Sequence, residues 1–225
     1  GYQVLGVDPA KNIAEEAARD GVPTRCAFFG EQTAQAITSE RGKARAVFAR
    51  NVLPHVANTH DFVKGLATAL SDDGVLAIEC HYAKIILDEL HYDSIYHEHL
   101  CYFTLKNLEY LLNQYGLYVF DIITSPISGG SMVVYARKRK GEETPVVAQY
   151  RYSEDTGGVN RLARWQEFAA RSFSHRDTLR AQLEQWQKQG KRVVGWGASA
   201  RSSTMLNFCG IDANMITMIA DKNPL

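Results

Sequence analysis

Residues 2–8 read Tyr-Gln-Val-Leu-Gly-Val-Asp, an apolar run that closes on an acid. Pro9-Ala10-Lys11 leads from it into a helical pattern over 12–20, ended by Gly21, since glycine tolerates the left-handed backbone past a helix C-terminus. The alternation then repeats. Residues 24–29 read as a short strand, 32–41 as a helix, 45–52 as a strand and 58–70 as a helix. Asp72-Asp73-Gly74 reads as a turn before a buried strand at 75–80. Strands alternating with helices predict an α/β fold with a parallel sheet and helices on both faces.

Beyond the parallel part, residues 105–115 form an amphipathic pattern with Thr104 as cap and Gly116 as stop. Two strands at 118–124 and 131–137, separated by Ser128-Gly129-Gly130, predict an antiparallel pair at the sheet edge. The basic-to-acidic run Lys138-Arg139-Lys140-Gly141-Glu142-Glu143 breaks the composition and reads as the start of a linker. Residues 158–189 are long and helical, with Leu162, Trp165, Phe168, Ala169, Phe173, Leu179, Leu183 and Trp186 as a stripe for a core. Val193-Val194-Gly195-Trp196-Gly197-Ala198-Ser199-Ala200 then reads as a strand, a glycine turn and a helix from about Arg201 to Phe208. A last strand over 215–220 ends on Asp221, completing half of a dinucleotide-binding unit.

Composition bounds the function. Lys plus Arg total 25, Asp plus Glu total 25, and 45% of the 225 residues are hydrophobic. Zero net charge argues against nucleic acid or an anionic membrane as main partner. No apolar run approaches spanning length and no signal peptide is legible. Cys26, Cys80, Cys101 and Cys209 are scattered without a Cys-x-x-Cys pair, so they read as reduced, mostly buried thiols of a cytoplasmic protein. The chain opens in mid-strand without Met, which suggests a piece of a longer protein.

Chemistry concentrates in Tyr96-His97-Glu98-His99, which runs at once into Leu100-Cys101-Tyr102-Phe103. Tyr96 and His99 are three apart, so a helix would put them on one face with Tyr92 a turn earlier. A phenol beside an imidazole suits proton transfer near neutral pH. A metal clip or a solvated turn would use the same residues, although no third metal ligand stands nearby. Asn51-Val52-Leu53-Pro54-His55-Val56 closes the strand from Arg45, where ligands bind in open α/β sheets. His55 would then face the same crevice as the Tyr96 to His99 segment. Asp8, at a strand end, suits either the ribose of a nucleotide or the N-cap of the next helix. His60, His81, His91 and His175 lack such context and read as surface or packing residues. The glycine turn at Gly195 and Gly197 offers a helix N-terminus to a phosphate, with Arg201 close by.

Taken in order, Asn51 to Val56, Asp93-Ser94-Ile95 with Tyr96 to His99, Gly129-Gly130-Ser131-Met132-Val133-Val134-Tyr135, Gly195 to Ala200, Leu206-Asn207-Phe208-Cys209-Gly210-Ile211 and Asp221-Lys222-Asn223-Pro224 resemble a family. It is that of the bacterial S-adenosylmethionine-dependent C-methyltransferases acting on nucleotide-linked deoxy-keto-sugars. The resemblance covers nearly the whole chain. It implies a Rossmann-like class I methyltransferase domain over 1–140, a linker over 141–157 and a truncated second Rossmann-like domain over 158–225. It also implies a zinc module, a first strand and a glycine-rich loop that this chain lacks, so zinc is expected only in that missing module and the stretch alone is expected to be inactive. By resemblance His99 is the base that removes a proton next to a ketone. Tyr96 and His55 act on the oxygen, and Glu98 orients a histidine or the sugar. Asp8, Phe28, Phe29 and Asn51 flank S-adenosylmethionine, while His97, Gly195, Gly197 and Arg201 face the sugar nucleotide. A monomer is expected. The alternatives are a nicotinamide-dependent oxidoreductase built on the glycine turn, and a non-catalytic sugar-nucleotide-binding paralogue.

Overall fold

A computed structural model describes residues 2–223; Pro224 of the last quoted block lies outside them. Strand β1 (Gly6–Asp8) and helix α1 (Lys11–Arg19) lead to β2 (Thr24–Cys26), which pairs with β1 in parallel. Helix α2 (Glu31–Arg41) follows, then β3 (Ala44–Arg50), α3 (Thr59–Ala69) and β4 (Leu70–His81). After α4 (Ala83–Asp88) and α5 (Leu105–Asn113) come β5 (Tyr118–Ser125) and β6 (Ser131–Arg137). The main sheet has the order β3-β4-β6-β5, with β3 and β4 parallel and the other two pairings antiparallel. The antiparallel pair thus sits at the edge, as the two strands around Ser128-Gly129-Gly130 predict. The fold is α/β, and three of its five strand pairings among the described residues are parallel.

Several boundaries differ from the sequence reading. Residues 2–5 lie outside β1 and 27–29 outside β2, because only Gly6–Asp8 and Thr24–Cys26 find each other as partners. Asp72-Asp73-Gly74 is not a free turn. It is an irregularity inside β4, where the pairing with β3 jumps from Leu70 opposite Ala44 to Val75 opposite Ala46. No ladder joins β1 to β3 among the described residues.

Residues 141–157 are not a linker. They hold α6 (Pro145–Gly157), which opens with Pro at its first turn and buries Val147 in the main core. Buried Glu154 explains why the helix docks. It accepts hydrogen bonds from Leu105 N (2.5 Å), Lys106 N (3.1 Å) and Tyr82 Oη (3.0 Å), so a carboxylate caps the positive end of α5. Thr104 and Asn107 complete that cap as a reciprocal box. Leu105, Leu108 and Leu112 on α5 are fully buried against Leu66, Ile78, Ile122 and Val134, each contributing about 1.5–3 kcal/mol on removal from water.

The long pattern forms α7 (Leu162–Lys188). Phe168 and Leu183 are buried, but Leu162 and Phe173 are exposed, so the predicted stripe is core only in part. A second cluster joins Ile86, Leu87 and Tyr92 to Val159, Phe168 and Cys209, seating the C-terminal helices on α4. The pair β7 (Gly195–Trp196) and β8 (Ile219–Ala220) is parallel around α8 (Ala200–Cys209), a short βαβ unit. β8 is two residues long rather than spanning 215–220. Cys80 and Cys209 are buried, Cys26 is exposed, and all four cysteines are free. No helix among the described residues is long and apolar enough to cross a membrane.

Candidate active site

The loop after β3 and the segment after α4 close on one cavity of about 190 Å³, lined by Asn51, Pro54, His55, His81, Ser94, Tyr96, His99, Ser128 and Arg201. It lies beyond the carboxyl ends of β3 and β4, the position where open α/β sheets bind ligands. Asn51 turns the chain there with φ 52° and donates its N–H to Glu79 O at 2.8 Å. Leu100 N and Cys101 N both donate to Pro54 O, at 2.8 and 3.2 Å, which staples the two loops together.

Residues 96–99 form a turn, closed by His99 N donating to Tyr96 O at 3.0 Å. Tyr96 and His99 meet as their spacing predicts, though without a helix. The Tyr96 hydroxyl lies 3.1 Å from His99 Nε2. His99 Nδ1 lies 2.8 Å from the Ser94 carbonyl oxygen, which only accepts. Nδ1 therefore carries the hydrogen of the neutral ring, and Nε2 accepts from Tyr96. The rings of His55 and His99 are 4.9 Å apart. His55 Nδ1 donates to Glu98 O at 2.9 Å, so its tautomer is fixed in the same way. Burial pushes His99 below the ordinary histidine value and His55 and Arg201 add to this, while its bond to Ser94 and the Glu98 carboxylate oppose it. Burial, with help from Glu98, raises the Tyr96 phenol. Near pH 7 the pair is a neutral imidazole beside a neutral phenol.

Tyr92 does not join them. The single helical turn Tyr92–Ser94 breaks at Ile95 (φ −91°, ψ 84°), and Tyr92 points instead at His175 Nδ1 (2.9 Å) and Cys209 Sγ (3.5 Å). Glu98 offers its backbone to the site, but its side chain is 59% exposed. His97 is 89% exposed and lies outside the cavity.

Arg201 reaches the cavity from the first turn of α8. Its Nε and Nη2 donate to Asp93 Oδ2 and Oδ1 at 2.8 and 3.0 Å, and its Nη1 donates to Ser128 O at 2.8 Å. Gly195 and Gly197 are not among the lining residues. The turn they form, with Gly197 at φ 93°, gives its Ala198 N–H to Asp221 at 2.5 Å. Asp8 accepts from Ala10 N at 2.8 Å, a turn bond ahead of α1 and not a helix cap, since Ala10 holds the N-cap position without a side-chain cap bond, and Asp8 is not among the residues that line the cavity. Phe28 is 83% exposed, whereas Phe29 packs edge-on against Phe62 at 5.5 Å.

His81 was missed by sequence reasoning, along with Ser94 and Ser128. It is not a packing residue: it ends β4 at the strand's carboxyl edge, one residue beyond the predicted strand, and lines the cavity. That strand-end position was the available signal. Among the described residues no cluster of three or more His, Cys, Asp or Glu side chains has metal-binding geometry.

Two family models match the chain, a methyltransferase domain over residues 1–122 and a C-methyltransferase C-terminal domain over 126–225. The C-methyltransferase NovU of Streptomyces niveus is 34% identical over 227 residues, covering 100% of this chain and 54% of NovU, so the chain spans about half the length of this curated relative. Among solved structures, the 1,6-didemethyltoxoflavin-N1-methyltransferase of Burkholderia thailandensis is 21% identical with a TM-score of 0.44, covering 62% of this chain and 63% of that one. A SAM-dependent methyltransferase of Anabaena variabilis is 16% identical with a TM-score of 0.48, covering 61% and 68%. The match of the methyltransferase-domain model over more than half of its length makes this chain a member of the methyltransferase-domain family.

Proposed function

We propose that this chain is part of a C-methyltransferase that moves a methyl group from S-adenosylmethionine to the carbon beside the ketone of a nucleotide-linked 4-keto-deoxy-sugar. The observation that carries the reading is the Tyr96–His99 pair: an imidazole with Nδ1–H anchored on Ser94 O and Nε2 facing a phenol. Its relative NovU is named a C-methyltransferase, and Asn51, Pro54, His55, Ser94, Tyr96 and His99 of the blocks that resemble the sugar-methylating family line one cavity.

The residues at the first two strand ends fit the methyl donor. Asp8 places a carboxylate at the end of β1, and the exposed Phe28 ring follows the end of the adjacent parallel β2. Acid and ring match a ribose and an adenine, and Phe29 and Asn51 are proposed as further donor contacts. When bound, the donor supplies an electrophilic methyl on a sulfonium.

His99 Nε2 takes the proton from the carbon next to the ketone, which its lowered basicity leaves it free to do at neutral pH. As that proton arrives, the Tyr96 O–H is released from Nε2 and turns to the oxygen where enolate charge develops. His55, 4.9 Å from His99 between ring centres, is held by Glu98 O through its Nδ1–H, so its Nε2 accepts in the neutral ring and only the protonated ring polarises that oxygen. Of the residues proposed to meet the sugar nucleotide, His97, Gly195, Gly197 and Arg201, the last reaches the cavity, and a phosphate would have to share it with Asp93.

The test is methyl transfer from labelled S-adenosylmethionine by the full-length protein of which this chain is part to a panel of keto-sugar nucleotides. Product methylated on a carbon next to the ketone supports the reading. Tight saturable NAD binding without methyl transfer would replace it by the oxidoreductase.

A further inference from the structure

His81 is 6% exposed, lines the cavity, and its Nδ1 is buried without a hydrogen-bond partner among the described residues. Its Nε2 lies 3.4 Å from His91 Nδ1. His91 Nε2 in turn lies 3.4 Å from Glu89 Oε2. Gly129 covers His91, so close that an added Cβ would stand 3.0 Å from its Cε1.

These contacts choose the tautomers. The Glu89 carboxylate stands 3.4 Å away without hydrogen-bond geometry, and its negative charge favours the hydrogen on the His91 nitrogen that faces it. His91 Nδ1 is then a lone pair, and it accepts from His81 Nε2–H. That leaves His81 Nδ1 as an unprotonated acceptor. A carboxylate orienting one imidazole, which orients a second, fixes which atom is offered to the cavity. Burial is the main reason that His81 is pushed down to about 4, with His91, Arg201 and His99 acting in the same direction and Asp93 against them. The acceptor therefore stays neutral through the physiological range. Ser94 Oγ, also fully buried, unpartnered among the described residues and lining the same cavity, adds a hydroxyl that donates or accepts.

Leaving a buried acceptor without a donor carries a desolvation cost. A ligand that donates there recovers that cost, and a ligand lacking the donor does not. We propose that His81 Nδ1, held in its tautomer by His91 and Glu89 and assisted by Ser94 Oγ, is the hydrogen-bond acceptor for a hydroxyl group of the substrate. This inference rests on the reading above, since it supplies the substrate contact that a deoxy-sugar with remaining hydroxyls needs.

The experiment has two arms on the full-length protein of which this chain is part. In the first, ¹⁵N NMR of the imidazoles in the free protein reads the tautomers. His81 is expected to be protonated at Nε2 and not at Nδ1, and Glu89→Gln, at an exposed position, is expected to mix the two forms. In the second, methyl-transfer kinetics compare His81→Leu with His81→Asn, whose side-chain oxygen can stand near the Nδ1 position. His81→Leu is expected to raise KM for the keto-sugar nucleotide about 10-fold or more, with the KM of S-adenosylmethionine unchanged. His81→Asn is expected to recover most of the loss. A free protein with the hydrogen on His81 Nδ1, or a folded His81→Leu enzyme with an unchanged substrate KM, overturns the inference. The expected tautomer in a wild-type protein that transfers no methyl group overturns the proposed function and leaves His81 as an acceptor for another hydroxylated ligand.

Discussion

Arg201 of α8 grips Asp93 with two nitrogens, at 2.8 and 3.0 Å, across 108 positions of sequence. The pair fastens the C-terminal unit to the segment that carries Tyr96 and His99. A planar fork matched to a carboxylate gives this contact a fixed direction that a lysine cannot copy. Arg201 is also one of the charges that lower His99.

Arg201→Ala is accordingly expected to raise KM for the sugar nucleotide and spare that for S-adenosylmethionine. It is also expected to move the acid limb of the pH–rate profile upward, because a positive neighbour of His99 is gone. Arg201→Lys is expected to keep most of the pH position and lose the KM. Initial-rate kinetics from pH 5 to 8 would check both, and unchanged KM values in Arg201→Ala would refute the role.

Glu154 gives a stability prediction. Glu154→Ala leaves Leu105 N, Lys106 N and Tyr82 Oη without their acceptor. The expected cost is about 2–4 kcal/mol, as for a broken buried network. Denaturant melts would measure it, and a loss below about 0.5 kcal/mol would mean that α6 docks without its carboxylate.

Much of this arrangement was legible in the sequence, because the signals were local. Period and caps gave α5 with Thr104, and two strands around Ser128-Gly129-Gly130 gave the edge pair β5 and β6. Strand-end logic brought His55 and His99 to one crevice. What was hidden depended on tertiary partners. Glu154 looks like one more surface acid until α5 lies across it. Residues 141–157 read as a linker since only Val147 and Glu154 of α6 are buried. His81 was lost to a strand end placed one residue early, and Tyr92 to a helix that breaks at Ile95.

The histidines set a pH dependence of stability. His81 sits at about 4 against an ordinary 6.5, and His99 is lowered as well. The unfolded chain therefore binds protons that the folded chain does not between those values. Stability is full above about pH 6.5 and falls as pH drops through that window. Tm measured from pH 7 to 4 is expected to decline less steeply in His81→Asn than in wild type. Parallel profiles would show that His81 is not the titrating group.

Asp8 has two possible duties, and they separate experimentally. Asp8→Ala removes the bond to Ala10 N, so a modest fall in Tm is expected in any case. If the carboxylate also takes the donor's ribose, affinity for S-adenosylmethionine falls by about 1.5–3 kcal/mol. Calorimetric titration decides, since a lower Tm with unaltered donor affinity would leave Asp8 with its turn bond to Ala10 N alone.

The central claim is that His99 removes the proton beside the ketone, and solvent deuterium exchange at that carbon reads this step most directly. In the full-length protein with a keto-sugar nucleotide, His99→Asn is expected to slow both exchange and methyl transfer by about 100-fold or more while S-adenosylmethionine binding stays near normal. Exchange and turnover at wild-type rates in His99→Asn would contradict the account.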